Sequence, residues 1–251
     1  MRADRQDSME KYILEKQNVT IDKLCNEFKV SKNTVRRDLD ELVKRGTITK
    51  VYGGVAALRS SNFLPAHLRG TSNKQAKQQI GEIAARLVED GDTIFLDSGT
   101  TAPNMVPYLH NVKNLTIITH SLTVMNLLAQ NRDIKLMAIG GQYNPDTNSY
   151  FGPESLEMLE SLHILKAFVG CSGLTIAGGI TNLTYYEPIL KSKVIERSNK
   201  VILITDSSKF GHNATRSVCQ IDEIDILVSE QAPPNDIKEY CQTHGIQLIN
   251  N

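Results

Sequence analysis

Val30-Ser31-Lys32-Asn33-Thr34-Val35-Arg36-Arg37-Asp38-Leu39-Asp40-Glu41-Leu42-Val43-Lys44-Arg45-Gly46 is the stretch on which the reading of this chain turns. The Ser31 side chain suits an N-cap that accepts from first-turn backbone N–H groups, and Gly46 suits a left-handed residue closing a helix. Between them Val35, Leu39, Leu42 and Val43 recur on one face, so the spacing predicts one amphipathic helix. Its first two turns carry the donors Lys32, Asn33, Thr34, Arg36 and Arg37, whereas Asp38, Asp40 and Glu41 come later. The donor-rich end suits an anion.

Upstream, Thr20 predicts another N-cap and Ile21, Leu24, Cys25 and Phe28 repeat at helical spacing, leaving only Lys29-Val30 as a turn before Ser31. Two short helices joined so tightly read as a helix-turn-helix, whose second helix enters the major groove by its N-terminal residues. Lys32, Asn33, Thr34 and Arg36 then face base edges or nearby phosphates. Taken alone, the pair reads better as two ordinary helices with a solvated charged face. An earlier helix is predicted over Asp4 to Lys16, with Met9, Tyr12 and Ile13 along its face. Downstream, Thr47-Ile48-Thr49-Lys50-Val51-Tyr52-Gly53-Gly54-Val55 is a β-branched run broken by a Gly-Gly turn signal, which predicts a hairpin. Three helices and a hairpin make a winged helix, with Lys50 and Tyr52 on the wing.

In Arg5, Val30-Ser31, Thr34-Val35-Arg36-Arg37-Asp38-Leu39, Leu42, Gly46 and Gly53-Gly54 the chain resembles the N-terminal domain of the DeoR family of bacterial transcription regulators. The resemblance implies double-stranded operator DNA as a partner, contacted by Ser31, Lys32, Asn33, Thr34, Arg36, Arg37, Lys50 and Tyr52. Lys50 and Tyr52 stand where the family commonly has Arg and His; a lysine keeps the phosphate charge and gives up the bidentate fork.

The full 251 residues suggest two domains at roughly 100 to 200 residues each. No apolar run approaches the ~20 residues a membrane helix needs, and the polar N-terminus is unlike a signal peptide, so a cytoplasmic protein with no membrane partner is expected. Net charge is zero, yet residues 1–60 hold 13 Lys/Arg against 9 Asp/Glu (+4) and the remainder 15 against 19 (−4). A mildly basic head on an acidic body fits nucleic-acid binding at one end. Cys25, Cys171, Cys219 and Cys241 show no CxxC spacing and the six histidines no ligand pair, so buried thiols, no metal and no cofactor are expected.

Beyond the wing the periodicity fails through Arg59-Ser60-Ser61-Asn62-Phe63-Leu64-Pro65, which reads as linker. We expect a DNA-binding domain over 1–57, a linker over 58–76 and an α/β domain over 77–251. In the last, a helical stripe (Ile80, Ile83, Ala84, Leu87, Val88) leads to the strand Thr93 to Leu96, followed by a helix near Ala102 to Leu109. Strand Leu115 to Thr119, helix Ser121 to Gln130 and strand Ile134 to Ile139 continue the alternation. Later strands are expected at Ala167 to Val169, Val201 to Thr205, Ile226 to Val228 and Gln247 to Ile249, with helices near Tyr186 to Arg197 and Pro234 to His244. Such alternation predicts a mostly parallel, Rossmann-like sheet covered on both faces, with ligands at the strands' carboxyl ends.

Polar residues cluster where that rule wants them. Asp97-Ser98-Gly99-Thr100-Thr101, Thr119-His120-Ser121, Gly140-Gly141-Gln142, Gly170-Cys171-Ser172-Gly173 and Thr205-Asp206-Ser207-Ser208-Lys209-Phe210-Gly211 each follow a predicted strand. Hydroxyls, amides and a helix N-terminus in the first could hold a phosphate, and Lys209 could neutralise it. Any one loop is an ordinary turn; five point to a shared pocket.

Asp97 to Thr101, Gly140-Gly141, Gly152-Pro153, Glu187 and Asp206 to Gly211 are similar to the DeoR sensor domain, whose fold is related to ribose-5-phosphate isomerase. The resemblance implies a phosphorylated sugar or sugar-alcohol effector, held by Asp97, Ser98, Gly99, Thr100 and Thr101 at the phosphate or adjacent hydroxyls. His120, Ser121, Gly141 and Gln142 join them, and Glu187 and Lys209 face the sugar or the phosphate; His120 stands where many members have Asn. Arg69 and Lys77 match an Arg and a Lys that the family places just after the linker, though its usual Glu before the Lys is Ala76. The expectation is a homo-oligomeric repressor (dimer or tetramer) of a carbohydrate operon, relieved by that effector. A sugar-phosphate isomerase with Glu187 as base is the enzyme alternative, and a pure oligomerisation module is a third reading. Against the enzyme, Gly170-Cys171-Ser172-Gly173 lacks a carboxylate.

Overall fold

A computed structural model describes residues 2–16, 18–44, 48–51, 53–57, 66–70 and 72–250. Two compact units divide at residue 64.

In the first unit helix α1 (Arg2–Lys16) is followed by strand β1 (Asn18–Thr20), α2 (Ile21–Phe28), α3 (Lys32–Lys44), β2 (Ile48–Val51) and β3 (Gly54–Ala57). Thr20 Oγ1 caps α2 by accepting from Lys23 N–H at 3.3 Å, and Ser31 Oγ caps α3 through Thr34 N–H at 3.3 Å. Lys29 ends α2 in the left-handed region (φ 50°), which makes the sharp turn between the helices. Gly46, the expected stop of α3, and Tyr52 on the wing lie outside the described residues. β2 and β3 pair antiparallel as the hairpin, and β1 adds a third strand through Val19 opposite Val55. That third strand was not expected, because three residues are too few to show alternation.

One core holds this unit: Met9 and Ile13 from α1, Leu24 from α2, and Val35, Leu39 and Leu42 from α3 pack with Val19, Ile48 and Val55. Asp38 does not join the exposed polar face of α3. It is buried, accepting from Arg5 Nε at 2.8 Å and Gln6 Nε2 at 3.0 Å, and so ties α3 to α1.

The second unit opens within the stretch expected to be linker, with α4 (Ala66–Arg69) and α5 (Lys74–Ala85), three residues ahead of the predicted start at Lys77. The elements after α5 are β4 (Thr93–Leu96), a 3-10 helix (Ala102–Tyr108), β5 (Thr116–Thr119), α6 (Leu122–Leu128), β6 (Lys135–Ala138), β7 (Gln142–Asn144), β8 (Ser149–Phe151), α7 (Pro153–Glu160) and β9 (Ile164–Val169). Then come β10 (Gly173–Thr175), β11 (Gly179–Asn182), α8 (Tyr186–Glu196), β12 (Ser198–Ile204), β13 (Arg216–Cys219), β14 (Ile226–Val228), α9 (Asn235–Thr243) and β15 (Gln247–Ile249). A parallel sheet runs β15-β14-β12-β9-β4-β5-β6. Its buried residues alternate by the two-residue period of a strand. Ile94, Leu96, Ile117, Phe168, Ile202 and Val228 enter the core under α5 and α6, while Phe95, Ile118, Ala167, Leu203 and Leu227 enter the core under α8 and α9. The α/β architecture therefore follows from runs that are apolar on both faces.

The helix expected near Ala102 is 3-10 rather than α, because Pro103 and Pro107 each lack a backbone donor. The β7–β8 ribbon and the β10-β11-β13 sheet were not anticipated. Cys219 and Cys241 are buried as expected, but Cys25 and Cys171 are half-buried.

Leu39→Ala empties a core position of α3 and should lower stability by about 2–5 kcal/mol, whereas Arg36→Ala on the exposed face should change it by under ~0.5 kcal/mol; thermal unfolding of the full chain separates the two.

Candidate functional site

The exposed face of α3 carries Lys32, Asn33, Arg36 and Arg37, with Ser31 exposed before them and Thr34 half-buried. Ser31 and Thr34 hydroxyls also bond each other at 3.0 Å. Lys32 Nζ lies 2.6 Å from Asp22 and Lys50 Nζ 2.5 Å from Asp40, both exposed pairs. Each lysine is thus held by an acid that a phosphate would have to replace, and solvent screening makes such pairs weak. Because Asp38 turns inward, the acids on this face are the later Asp40 and Glu41, and the first two turns stay donor-rich.

In the second unit the five expected loops follow β4, β5, β6, β9 and β12, which are five adjacent strands of the sheet. From β4 the chain winds outward to β5 and β6; from β9 it winds the other way to β12, β14 and β15. The β4–β9 junction is the topological switch point where such sheets bind ligands.

At that junction Asp97 is fully buried. Its Oδ2 lies 2.9 Å from Lys191 Nζ and accepts from Gly170 N–H at 2.9 Å. Lys191, on α8, donates to Gly170 O at 2.7 Å. With the Asn182 amide turned so that its oxygen faces the ammonium, that oxygen accepts at 2.9 Å, and the Asn182 nitrogen donates to Thr181 O. Burial works to raise the Asp97 carboxyl, but the charge and hydrogen bond of Lys191 and the Gly170 amide outweigh it and hold it below the ordinary carboxylate range. Burial likewise works to lower Lys191, and Asp97 and Glu187 outweigh it and raise the ammonium. Both partners are charged.

His120 stacks on Phe95 with ring centroids 5.6 Å apart, and burial lowers its pKa, leaving a neutral imidazole at pH 7. Glu187, also buried, accepts from Thr184 Oγ1 at 2.8 Å. Ser121 is less available than expected, because its Oγ caps α6 by accepting from Val124 N–H at 3.4 Å. Ser98 and Thr101 are buried, and Gly99 and Thr100 half-buried. The helix end expected after Asp97 to Thr101 offers fewer amides than a full α-helix, since Pro103 has no N–H and Asn104 N–H is spent on Thr101 O. Gly141 and Gln142 are exposed; Gln142 opens β7 and Gly141 precedes it, and the β7–β8 ribbon is tied to the loop after β5 by the Ser121–Ser149 bridge.

Lys209 closes the β12 loop. Its charge and the hydrogen bonds from Ser208 and Asn73 bring the Asp206 carboxyl below its ordinary value, although burial works to raise it. Lys77 is buried in α5, donating to Arg69 O at 2.5 Å and Ser72 O at 2.7 Å. Burial pushes its pKa down to about 8, resisted by Asp206 and reinforced by Lys209 and Arg69. Lys191 and Asn182 escaped the sequence reading. The available signal was Lys191 four residues after Glu187 and beside the apolar Leu190 and Val194 of one helix face.

Two family models match: the DeoR-like helix-turn-helix domain over residues 5–61 and the DeoR C terminal sensor domain over residues 72–231. The chain belongs to the DeoR family. It is 37% identical to the HTH-type transcriptional regulator IolR of Bacillus subtilis (strain 168), over 99% of both chains. It is 32% identical to the glycerol-3-phosphate regulon repressor of Escherichia coli (strain K12), over 92% of this chain and 91% of that one. Among solved structures it is similar to ribose 5 phosphate isomerase A from Neisseria gonorrhoeae, with TM-score 0.42 and 18% identity over 56% of this chain and 55% of that one. The family is one of DNA-binding transcription regulators, so the enzyme alternative falls. Among the described residues no helix is long and apolar enough to cross a membrane.

The depressed Lys77 sets a pH dependence. Charging it costs the folded state, so its contribution to stability should rise as pH climbs from about 8 toward its ordinary value near 10.5. An anion held beside it needs the proton, so sulfate, whose own charge is constant, should bind more weakly as pH rises through about 8; calorimetric titration at pH 7 and 9 tests this, and Lys77→Met should flatten the difference.

Proposed function

We propose that this chain is a repressor of a carbohydrate-utilisation operon, released from its operator by a phosphorylated sugar or sugar alcohol. The reading is supported by the charged and unpaired polar side chains gathered at the β4–β9 switch point, on a chain whose other unit matches a DeoR-like helix-turn-helix domain. In it, residues 1–57 bind double-stranded operator DNA through Ser31, Lys32, Asn33, Thr34, Arg36 and Arg37, with Lys50 and Tyr52 on the wing. The sensor is the second unit, which takes in α4 and the start of α5 from the stretch 58–76 first expected to be linker. Asp97, Ser98, Gly99, Thr100, Thr101, His120, Ser121, Gly141, Gln142, Glu187 and Lys209 surround the effector, and the cation-rich side near Lys77 and Lys209 takes its phosphate. The protein acts in the cytoplasm as a homo-oligomer, because paired heads match repeated half-sites. The names of the two relatives, a regulator and a glycerol-3-phosphate regulon repressor, support this assignment.

An effector acts only through unequal affinity for the DNA-competent and incompetent states; a coupling of about 1–3 kcal/mol changes operator affinity ~5- to 150-fold. Fluorescence anisotropy with the promoter DNA flanking its own gene, at two salt concentrations and with a panel of sugar phosphates, should show tight, salt-sensitive binding reversed by one compound. Arg36→Ala should cost about 1–3 kcal/mol and relax preference at one operator position; equal loss on random DNA would make it a phosphate contact instead. Lys209→Ala should keep operator binding and abolish release, and loss of DNA binding would reassign Lys209 to folding.

A further inference from the structure

The carboxyl ends of β4 and β5 hold more polarity than their neighbours satisfy. Asp97 Oδ2 is engaged by Lys191 and Gly170, yet Asp97 Oδ1, Ser98 Oγ and His120 Nδ1 have no hydrogen-bond partner among the described residues. The three side chains are only 0, 5 and 2% exposed. Buried polar atoms are ordinarily paired, and three orphans on two adjacent strand ends mark a place that something else completes.

We propose that these three atoms receive the uncharged, hydroxyl-bearing part of the effector, and that Lys191 is the positioning residue that holds Asp97 as their acceptor. This rests on the sensor reading above and gives the site a polarity. An ionised carboxylate only accepts, so its partner must bring a proton. A hydroxyl does; a phosphate dianion does not, and Asp97 repels it. Ser98 Oγ and neutral His120 can each meet a further hydroxyl in either sense. Adjacent hydroxyls of a polyol therefore match these atoms, and the phosphate belongs at the other end, near Lys77 and Lys209. Asp97 is thus removed from the phosphate-binding role that the family resemblance allowed it.

Lys191 acts through Asp97 rather than on the ligand. Its three N–H groups go to Asp97 Oδ2, Gly170 O and the Asn182 oxygen, leaving none for an effector. What it supplies is a fixed negative acceptor, aimed by a bond on the carboxylate's other oxygen.

The full chain labelled with ¹⁵N-histidine, titrated separately with erythritol and with inorganic phosphate, tests this through the His120 imidazole, assigned by its loss in His120→Gln. Erythritol should shift the His120 signals saturably and phosphate should leave them in place. Ser98→Ala should weaken erythritol binding about tenfold, the loss of one hydrogen bond. Lys191→Met should abolish the response and Lys191→Arg restore part of it; should Lys191→Met alone not fold, Asp97→Asn/Lys191→Met removes both charges and should also be silent. A His120 shift with phosphate equal to that with erythritol, no shift with erythritol, or a double variant that binds erythritol like the parent would each overturn the proposal. Operator release is read separately. A His120 response in a protein that no sugar phosphate releases from DNA keeps the receptor and discards the sensor reading; release without that response does the reverse.

Discussion

The Asp97–Lys191 ion pair is the constraint on which the carboxyl edge of the sheet depends. It joins the end of β4 to α8, and through the Gly170 amide and carbonyl it also fixes the end of β9, the two strands that flank the switch point. Taking two charges out of water is expensive, and a buried pair often does no better than a well-packed apolar substitute. Stability alone therefore does not explain it. What an apolar pair cannot provide is a carboxylate held ionised with one oxygen directed away from its partner, beside a neutral imidazole.

The first unit uses a buried acid differently. Asp38 is sequestered by Arg5 and Gln6, so the bonds that lock α3 against α1 also remove a negative charge from the face that carries Arg36 and Arg37. Folding and charge patterning are met by one residue. At the surface, Asp22 and Asp40 are paired with Lys32 and Lys50. Those contacts are weak and screened, so they orient the lysines without committing them.

Much of this was legible in the sequence because it rests on periodicity and capping. The strands at Thr93, Ile226 and Gln247 match their expected bounds, and the helix at Tyr186 ends one residue early. These segments are apolar on both faces or bounded by Gly, Ser and Asp, so local signals agree with the tertiary outcome. β1, β7, β8 and β10 resisted reading because, at three residues each, they show no alternation and, unlike the equally short β14 and β15, do not stand in the strand–helix succession of the parallel sheet. Around the site, the strand-end loops were readable, since glycine and hydroxyl residues after a strand are a positional signal. Lys191 was not, because a helical lysine is ordinarily a solvated one and only the packing of α8 on β9 buries it. Ser121 combines two readings of one hydroxyl, since the oxygen that caps α6 keeps a proton to donate.

The unpaired atoms bear on how a sensor of this kind can respond at all. An orphaned buried donor or acceptor costs about 1–3 kcal/mol, and a useful allosteric coupling is itself only about 1–3 kcal/mol. Pairing even one of Asp97 Oδ1, Ser98 Oγ and His120 Nδ1 is thus an energy change of the size that a switch needs. A fully satisfied set would give a more stable domain with little free energy left for a ligand to release. A set without the Lys191 anchor would let Asp97 take up a proton or turn aside, and the same ligand would then spend its binding energy on ordering the site. The pair keeps the deficit localised on a few atoms beside it, so a ligand that paired them in one conformational state would favour that state over another.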